Sequence, residues 1–338
     1  MIDTLKTLCR LSGVSGSEDA VRDYIIGCVA PYVNEVTTDA MGNVIAFKKG
    51  AKTPAETVML CAHMDEVGVI VTDITSDGYL KFAAAGSIDG RVLPGKLVSF
   101  GGVPGVIACK ATHLYKSAER TKAIKIEDMY IDIGAKDLEQ AQSMVQKGDA
   151  GAFDGGFTEF GDGFIKSKAI DDRFGCAVML QLIESELPID CWFAFTVQEE
   201  VGMRGAYTAA YRVAPDIAIV LEATTAADIP SVLGEKKVCK LGGGAVIPFM
   251  DGGTIYNREL FKALTNLADA NDIPWQTKSV IAGGTDGAAV QRSRAGVKTA
   301  AVSLPVRNLH SPSCVGKVSD MDAVLKLARK FLEEIGAR

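Results

Sequence analysis

Short runs that are almost continuously apolar, ETVMLCAH, DCWFAFTV, DIAIVLEA and TAAVSLPV, recur through this chain. A strand with one wet face alternates apolar and polar residues, whereas a strand covered on both faces stays apolar throughout. Helical patterns lie between and around these runs. AIDDRFGCAVMLQLIESE puts Phe174, Val178, Leu182 and Ile183 on one face, and RGAYTAAYRV, NRELFKALTNLADAND and DMDAVLKLARKFLEEIG are amphipathic. The combination predicts an α/β fold with a mixed, largely parallel sheet covered by helices. Near the start, Ser15-Gly-Ser-Glu18 has capping-box form ahead of Val21, Tyr24, Ile25 and Cys28, and Pro31 stops that helix. VNEVTTDA and NVIAF read as two β stretches joined at Met41-Gly42.

From about Val71 to Lys166 the texture changes to glycine-dense β pieces cut by turns, such as GYLKFAAAGSIDGRVLPGKLVSFGGVPGVIACK. A helix is expected over Asp137 to Lys147, and Asp162-Gly163 signals a turn. The expected organisation is therefore a main α/β domain of residues 1–70 and 167–338, with an inserted β-rich domain at 71–166.

Composition narrows the functional classes. With 36 basic against 42 acidic side chains the net charge is −6, which argues against a nucleic-acid footprint. No apolar run reaches the roughly 18 residues of a membrane span, and the N-terminus lacks the pattern of a secretory signal. The eight cysteines are scattered through apolar segments without a C-x-x-C pair. They read as small buried hydrophobes in a reducing compartment, so a cytoplasmic location is expected.

Ligands of open α/β sheets bind outside the carboxyl ends of the strands. Here those ends carry His63-Met-Asp65, Gln198-Glu199-Glu200, Glu222 and the loop to His310, while Ile170-Asp171-Asp172 opens a helix. Each has an ordinary reading alone. A histidine at a strand end is usually a satisfied polar group, adjacent glutamates are usually a solvated turn, and paired aspartates often sit at a helix N-terminus. Together, two histidines and several carboxylates at neighbouring strand ends make the donor set of a divalent metal site. Asp65, two residues after His63 on extended backbone, points the same way and can orient the imidazole. His113 lies in a polar stretch without acidic neighbours in ligand spacing and reads as a surface residue.

These residues carry a resemblance. His63-Met-Asp65-Glu66-Val-Gly68, Ala169-Ile-Asp171-Asp172-Arg173, Gln198-Glu199-Glu200-Val-Gly202-Met-Arg204-Gly205 and His310-Ser311-Pro312 are similar to the motifs of the TET-type metallo-aminopeptidases. Ser15-Gly16-Ser17-Glu18, Thr38-Asp39-Ala-Met-Gly42-Asn43, Ile131-Asp-Ile-Gly134-Ala135 and Gly283-Gly-Thr285-Asp286 extend the match, in order, over the chain. The resemblance implies a zinc-peptidase-like fold and two divalent metal ions per subunit, zinc or cobalt first and manganese next. His63 and Glu222 would hold one metal, Glu200 and His310 the other, and Asp171 would bridge both. Glu199 would be the general base and Asp65 would orient His63. Many relatives have Asp where this chain has Glu222. Asp172, where relatives often have Asn, reads as a helix-terminus residue. The implied reaction is removal of N-terminal residues from short peptides by two-metal activation of water. The implied assembly is a homo-oligomer, a tetrahedral dodecamer of dimers built with the inserted block.

Three other readings compete. A metal-dependent carboxypeptidase or deacylase of the same fold needs a cation to clamp a substrate carboxylate, and Arg204 is the candidate beside the motif. A glycoside hydrolase needs two carboxylates and leaves His63 and His310 without a role. A non-catalytic assembly subunit has no reason to keep a complete ligand set. Gly283 to Gly287 is either a tight turn or part of the pocket for the substrate side chain; the preferred N-terminal residue is not legible in the sequence.

Overall fold

The computed structural model describes residues 1–115 and 122–337. The chain opens with helices α1 (Ile2–Arg10) and α2 (Asp19–Val29), then strands β1 (Glu35–Thr38), β2 (Val44–Lys48) and β3 (Val58–His63). Next come β4 (Gly68–Ile74), β5 (Leu80–Ala85), β6 (Leu97–Phe100), β7 (Val103–Ala108) and β8 (Tyr130–Asp132). The short helix α3 (Leu138–Met144) precedes β9 (Ala150–Phe153), and these six strands close into a barrel. A hairpin of β10 (Thr158–Phe160) and β11 (Phe164–Ser167), turning at Asp162-Gly163, leads into α4 (Ile170–Ile183). The chain continues through β12 (Cys191–Thr196), α5 (Arg204–Val213), β13 (Ile217–Thr225), β14 (Ala245–Val246) and α6 (Arg258–Ala270). It ends with β15 (Trp275–Gln276), α7 (Gly287–Val290), β16 (Lys298–Val306), β17 (Cys314–Lys317) and α8 (Val318–Ala337).

The main sheet has eight strands in the order β1-β2-β12-β3-β13-β16-β14-β15. Its central four, β12, β3, β13 and β16, are mutually parallel, and antiparallel pairs flank them. The apolar runs are these four strands. Side chains alternate across a strand, and both faces here are dry. Val58, Leu60 and Ala62 of β3 join the core beneath α1, α2, α4, α6 and α8, while Met59 and Cys61 pack with Ala206, Ala209 and Ala210 of α5 and with Ala289 and Val290 of α7. Burying a side chain such as Phe193 or Phe195 stabilises the fold by roughly 1.5–3 kcal/mol. The barrel has its own core, built on Val69, Leu80, Phe82, Val98, Ile107 and Ile131.

Two local expectations are corrected by tertiary contacts. The capping box at Ser15 does not form. Ser15 Oγ donates to Asp65 Oδ2 at 2.6 Å and Ser15 N to Glu66 O, while the Glu18 carboxylate accepts from Gly16 N at 2.8 Å and Gln198 N at 3.1 Å, so distant partners take both groups of Ser15 and share Glu18. The helix after Asp137 is shorter than the pattern suggests, because Val145 takes extended backbone and is buried in the barrel. All eight cysteines are free. Among the described residues, no helix is long and apolar enough to cross a membrane.

Candidate metal centre and active site

The chain order explains why a cleft forms at one end of the sheet. β3 lies between β12 and β13, so the segments that follow those two strands leave on opposite sides of it. The register of the parallel pair sets Val220 beside Cys61, which brings Glu222 beside His63 two residues later on the same face. Glu222 is not the end of its strand, as the sequence suggested; pairing with β16 continues to Thr225 opposite Val306. Asp171 enters from the first turn of α4, where its backbone is not helical and the Asp171–Asp172 peptide is cis. Glu199 and Glu200 lie on the β12–α5 connection, and His310 follows β16 with a φ of 55°.

These residues converge as two donor groups that share Asp171. His63, Asp171 and Glu222 form one, and Asp171, Glu200 and His310 the other, with the ligand atoms of each group within 4.8 Å of one another. His63 Nε2 is 3.2 Å from Asp171 Oδ1 and 3.4 Å from Glu222 Oε1. His310 Nε2 is 3.4 Å from Asp171 Oδ2 and 3.3 Å from Glu200 Oε2. The second ring nitrogens are held as well: His310 Nδ1 is 2.8 Å from Ser87 O, and His63 Nδ1 is 3.1 Å from Asp65 O and 3.4 Å from Asp65 Oδ1. Such contacts set ring orientation and tautomer.

The site is largely buried and crowded with acids. Burial drives the Glu222 and Glu200 carboxyls up to about 8, and pushes Glu199 well above the usual range. Burial raises Asp171 too, but the His310 and His63 imidazoles outweigh it and hold its pKa below the ordinary value. The same pairing lifts His310, against its own desolvation, to about 9. Divalent cations would offset the repulsion and desolvation of three carboxylates gathered with two imidazoles. Imidazole nitrogen with carboxylate oxygen is the chemistry that suits zinc, cobalt and manganese, so the residues fit such ions. Asp172 sits just behind, with Oδ1 accepting from Gly175 N at 2.9 Å as a helix-terminus residue would. His113 is exposed and outside both groups.

Residues with no role assigned from sequence turn out to hold the site's frame. Four consecutive backbone N–H groups of the β12–α5 connection are bonded by side chains from elsewhere. Val197 N donates to Asn43 Oδ1 (3.0 Å) and Gln198 N to Glu18 Oε1 (3.1 Å). Glu199 N and Glu200 N donate to Asp65 Oδ1 (2.9 Å) and Oδ2 (3.1 Å). Asp65 thus fixes the backbone of both glutamates as well as lying beside His63. A second buried network anchors α4. Glu66 accepts from Lys168 Nζ at 2.6 Å, and Arg173 donates to Met64 O and Leu8 O, each at 2.6 Å. Asn43, Glu18, Glu66 and Arg173 stand inside the quoted motifs, but these bonds to the site join them to residues tens of positions or more away in the chain, which no local pattern names.

A cavity of about 540 Å³ opens on the donor groups. Glu199 lines it without belonging to either group, and Gly283 and Gly284 line it too. Arg204 does not; its Nη1 lies 3.5 Å from Gln198 Oε1 at the exposed surface, so Arg204 is not placed as the clamp that the carboxypeptidase reading asked of it.

The model of the M42 glutamyl aminopeptidase family matches residues 42–327. A lysyl aminopeptidase of Pyrococcus furiosus is 33% identical over 98% of this chain and 97% of its own. The solved TET aminopeptidase of the marine sediment archaeon Thaumarchaeota archaeon SCGC AB-539-E09 superposes with a TM-score of 0.93 at 33% identity, covering 99% of this chain and 98% of that one. The TET1 peptidase of Pyrococcus horikoshii, which assembles into a tetrahedron or a large octahedral shell, gives 0.86 at 34% identity, over 98% and 99%. The likeness runs over nearly the whole chain: the chain belongs to the M42 glutamyl aminopeptidase family and is an aminopeptidase.

Proposed function

We propose that the chain is a metal-dependent aminopeptidase that removes N-terminal residues from short peptides with two divalent ions per subunit. The observation that carries this reading is the pair of donor groups sharing Asp171. His63 and Glu222 would hold one ion, Glu200 and His310 the other, and Asp171 would contribute to both. When bound, such a pair supplies Lewis acidity toward the scissile carbonyl and lowers the pKa of water. Glu199, in the cavity and outside the donor groups, takes the proton of the attacking water and returns it to the leaving amine. Asp65 keeps His63 and the two glutamate backbones in register. Zinc or cobalt is the expected metal, then manganese.

The division of labour follows the same reading. Residues 1–70 and 167–338 form the catalytic domain, and 71–166, none of whose described residues belongs to a donor group, serve dimerisation and assembly into a tetrahedral dodecamer in the cytoplasm. The assembly reading is supported by the relatives that form such shells.

The test is hydrolysis of aminoacyl chromogenic substrates by purified protein. Chelator is expected to abolish it, and zinc, cobalt or manganese to restore it. Undiminished turnover in excess chelator would overturn the metal-dependent reading.

A further inference from the structure

We infer that the inserted barrel completes the second donor group through its Gly86-Ser87 turn, which positions His310 and Glu200 for their ion. The inference rests on the proposed reading of those two residues as metal ligands.

The two donor groups are oriented from different parts of the chain. His63, Asp171 and Glu222 all lie outside the barrel, and the second ring nitrogen of His63 is held by Asp65, two residues on. For His310 the support comes from the barrel. The residue sits on a loop with a φ of 55°, 29% of its side chain is exposed, and its Nδ1 lies 2.8 Å from Ser87 O. With Nδ1–H donated to that carbonyl, the lone pair of Nε2 is left on the side of Asp171 Oδ2 and Glu200 Oε2, at 3.4 and 3.3 Å.

The turn that supplies the carbonyl approaches the ligands closely. Gly86 follows β5 and has a φ of 87°, a conformation that L side chains rarely adopt. A Cβ added there would stand 2.7 Å from Val67 Cγ1 and 3.3 Å from Glu200 Cβ, so the glycine lets the barrel backbone lie against the stem of a ligand. Both flanks tie the turn to the barrel: Ala85 pairs with Gly68 of β4, and Ile88 packs on the barrel core. Phe153 of β9 adds a second contact, walling a small pocket together with Asp171, Glu200 and His310. The barrel thus holds the second group from two places while none of its described residues is a donor. Partners of a ligand's other nitrogen typically change metal affinity by about 10–100-fold, so a displaced turn is read at one of the two ions.

The experiment titrates zinc calorimetrically into metal-free wild type, Gly86→Ala and Gly95→Ala. Gly95 is the control, a barrel glycine with a φ of 80° and open space where a Cβ would stand. Wild type and Gly95→Ala are expected to bind two ions alike, and Gly86→Ala to bind the second at least about tenfold more weakly with the first unchanged. Equal binding in all three proteins, equal weakening of both ions, or the same loss in Gly95→Ala overturns the inference. Nitrogen magnetic resonance of the histidines in zinc-loaded wild type reads the contact itself, and decides the matter if Gly86→Ala does not fold. The His310 signal, identified by its loss in His310→Gln, is expected to show a slowly exchanging proton on Nδ1. Zinc held by Nδ1, or a proton there that exchanges freely with solvent, overturns the inference. Fewer than two ions in wild type would overturn the two-metal reading, and the inference with it.

Discussion

Glu199 and Glu200 are neighbours in the chain with different surroundings. Glu200 meets His310 and Asp171, whereas Glu199 faces the open cavity. That difference separates a proposed ligand from a proposed base. Glu199→Gln is expected to keep both metals and lose roughly 10²–10⁴ in kcat. Glu200→Gln is expected to lose one metal, because an amide neither carries the charge nor replaces the second carboxylate oxygen. Elemental analysis with steady-state kinetics on the two variants checks the pair; the reverse pattern would exchange the assignments. Asp171→Asn tests the sharing directly, and both ions should leave. From sequence the donors are legible as residue types at strand ends. Their grouping is not, because Glu222 meets His63 only through the register of β13 against β3.

At the scale of elements, the β12–α5 connection behaves as a pinned loop. Asn43 is fully buried and also donates to Gly205 O at 2.9 Å, so it grips both ends of the turn that carries the glutamates. Asn43→Ala leaves Val197 N and Gly205 O without these partners and should cost about 1–3 kcal/mol. A lower urea midpoint together with reduced kcat is the expected result; a lost midpoint with unchanged kcat would mean the loop holds its shape without Asn43. The segment after β13 is tied differently. Burial raises the pKa of Asp228, but two bonds accepted from Arg307 at 2.7 Å, together with one from Leu241 N, hold it below the ordinary value. A carboxylate whose folded pKa is depressed stabilises fully above its unfolded pKa of about 3.9, and that stability disappears as pH falls through the folded value. The pair is partly exposed and screened, so Asp228→Asn should cost about 0.5–1 kcal/mol near neutrality. The gap from wild type should persist down to about pH 4 and close below it in denaturation curves taken across pH.

For the whole molecule, the barrel interrupts an α/β chain that would otherwise run directly from β3 toward α4, and it contributes none of the donors. A long insertion without catalytic groups inside a compact fold calls for another function, and assembly is the one proposed. Light scattering of the purified protein is expected to give a particle of about twelve chains. A monomer at micromolar concentration would defeat the cage, and a dimer would leave only its first step. Enclosure also predicts that folded proteins resist the enzyme while short peptides are degraded, which a casein-against-peptide comparison reads.

The apolar runs and helical periods by themselves determined a covered, mostly parallel sheet, since a strand can remain apolar through its length only if both faces are dry. They also placed histidines and carboxylates at the strand ends that ligands use. Contacts across long sequence distances decided the rest. Ser15 and Glu18 left their local cap for Asp65 and Gln198, because buried partners were available there. Lys278 looks like any surface lysine in the sequence, and only the fold buries it in the wall of the cavity. Residue type and period act locally and can be read along the chain, whereas burial and pairing depend on which distant segments the tertiary fold brings together.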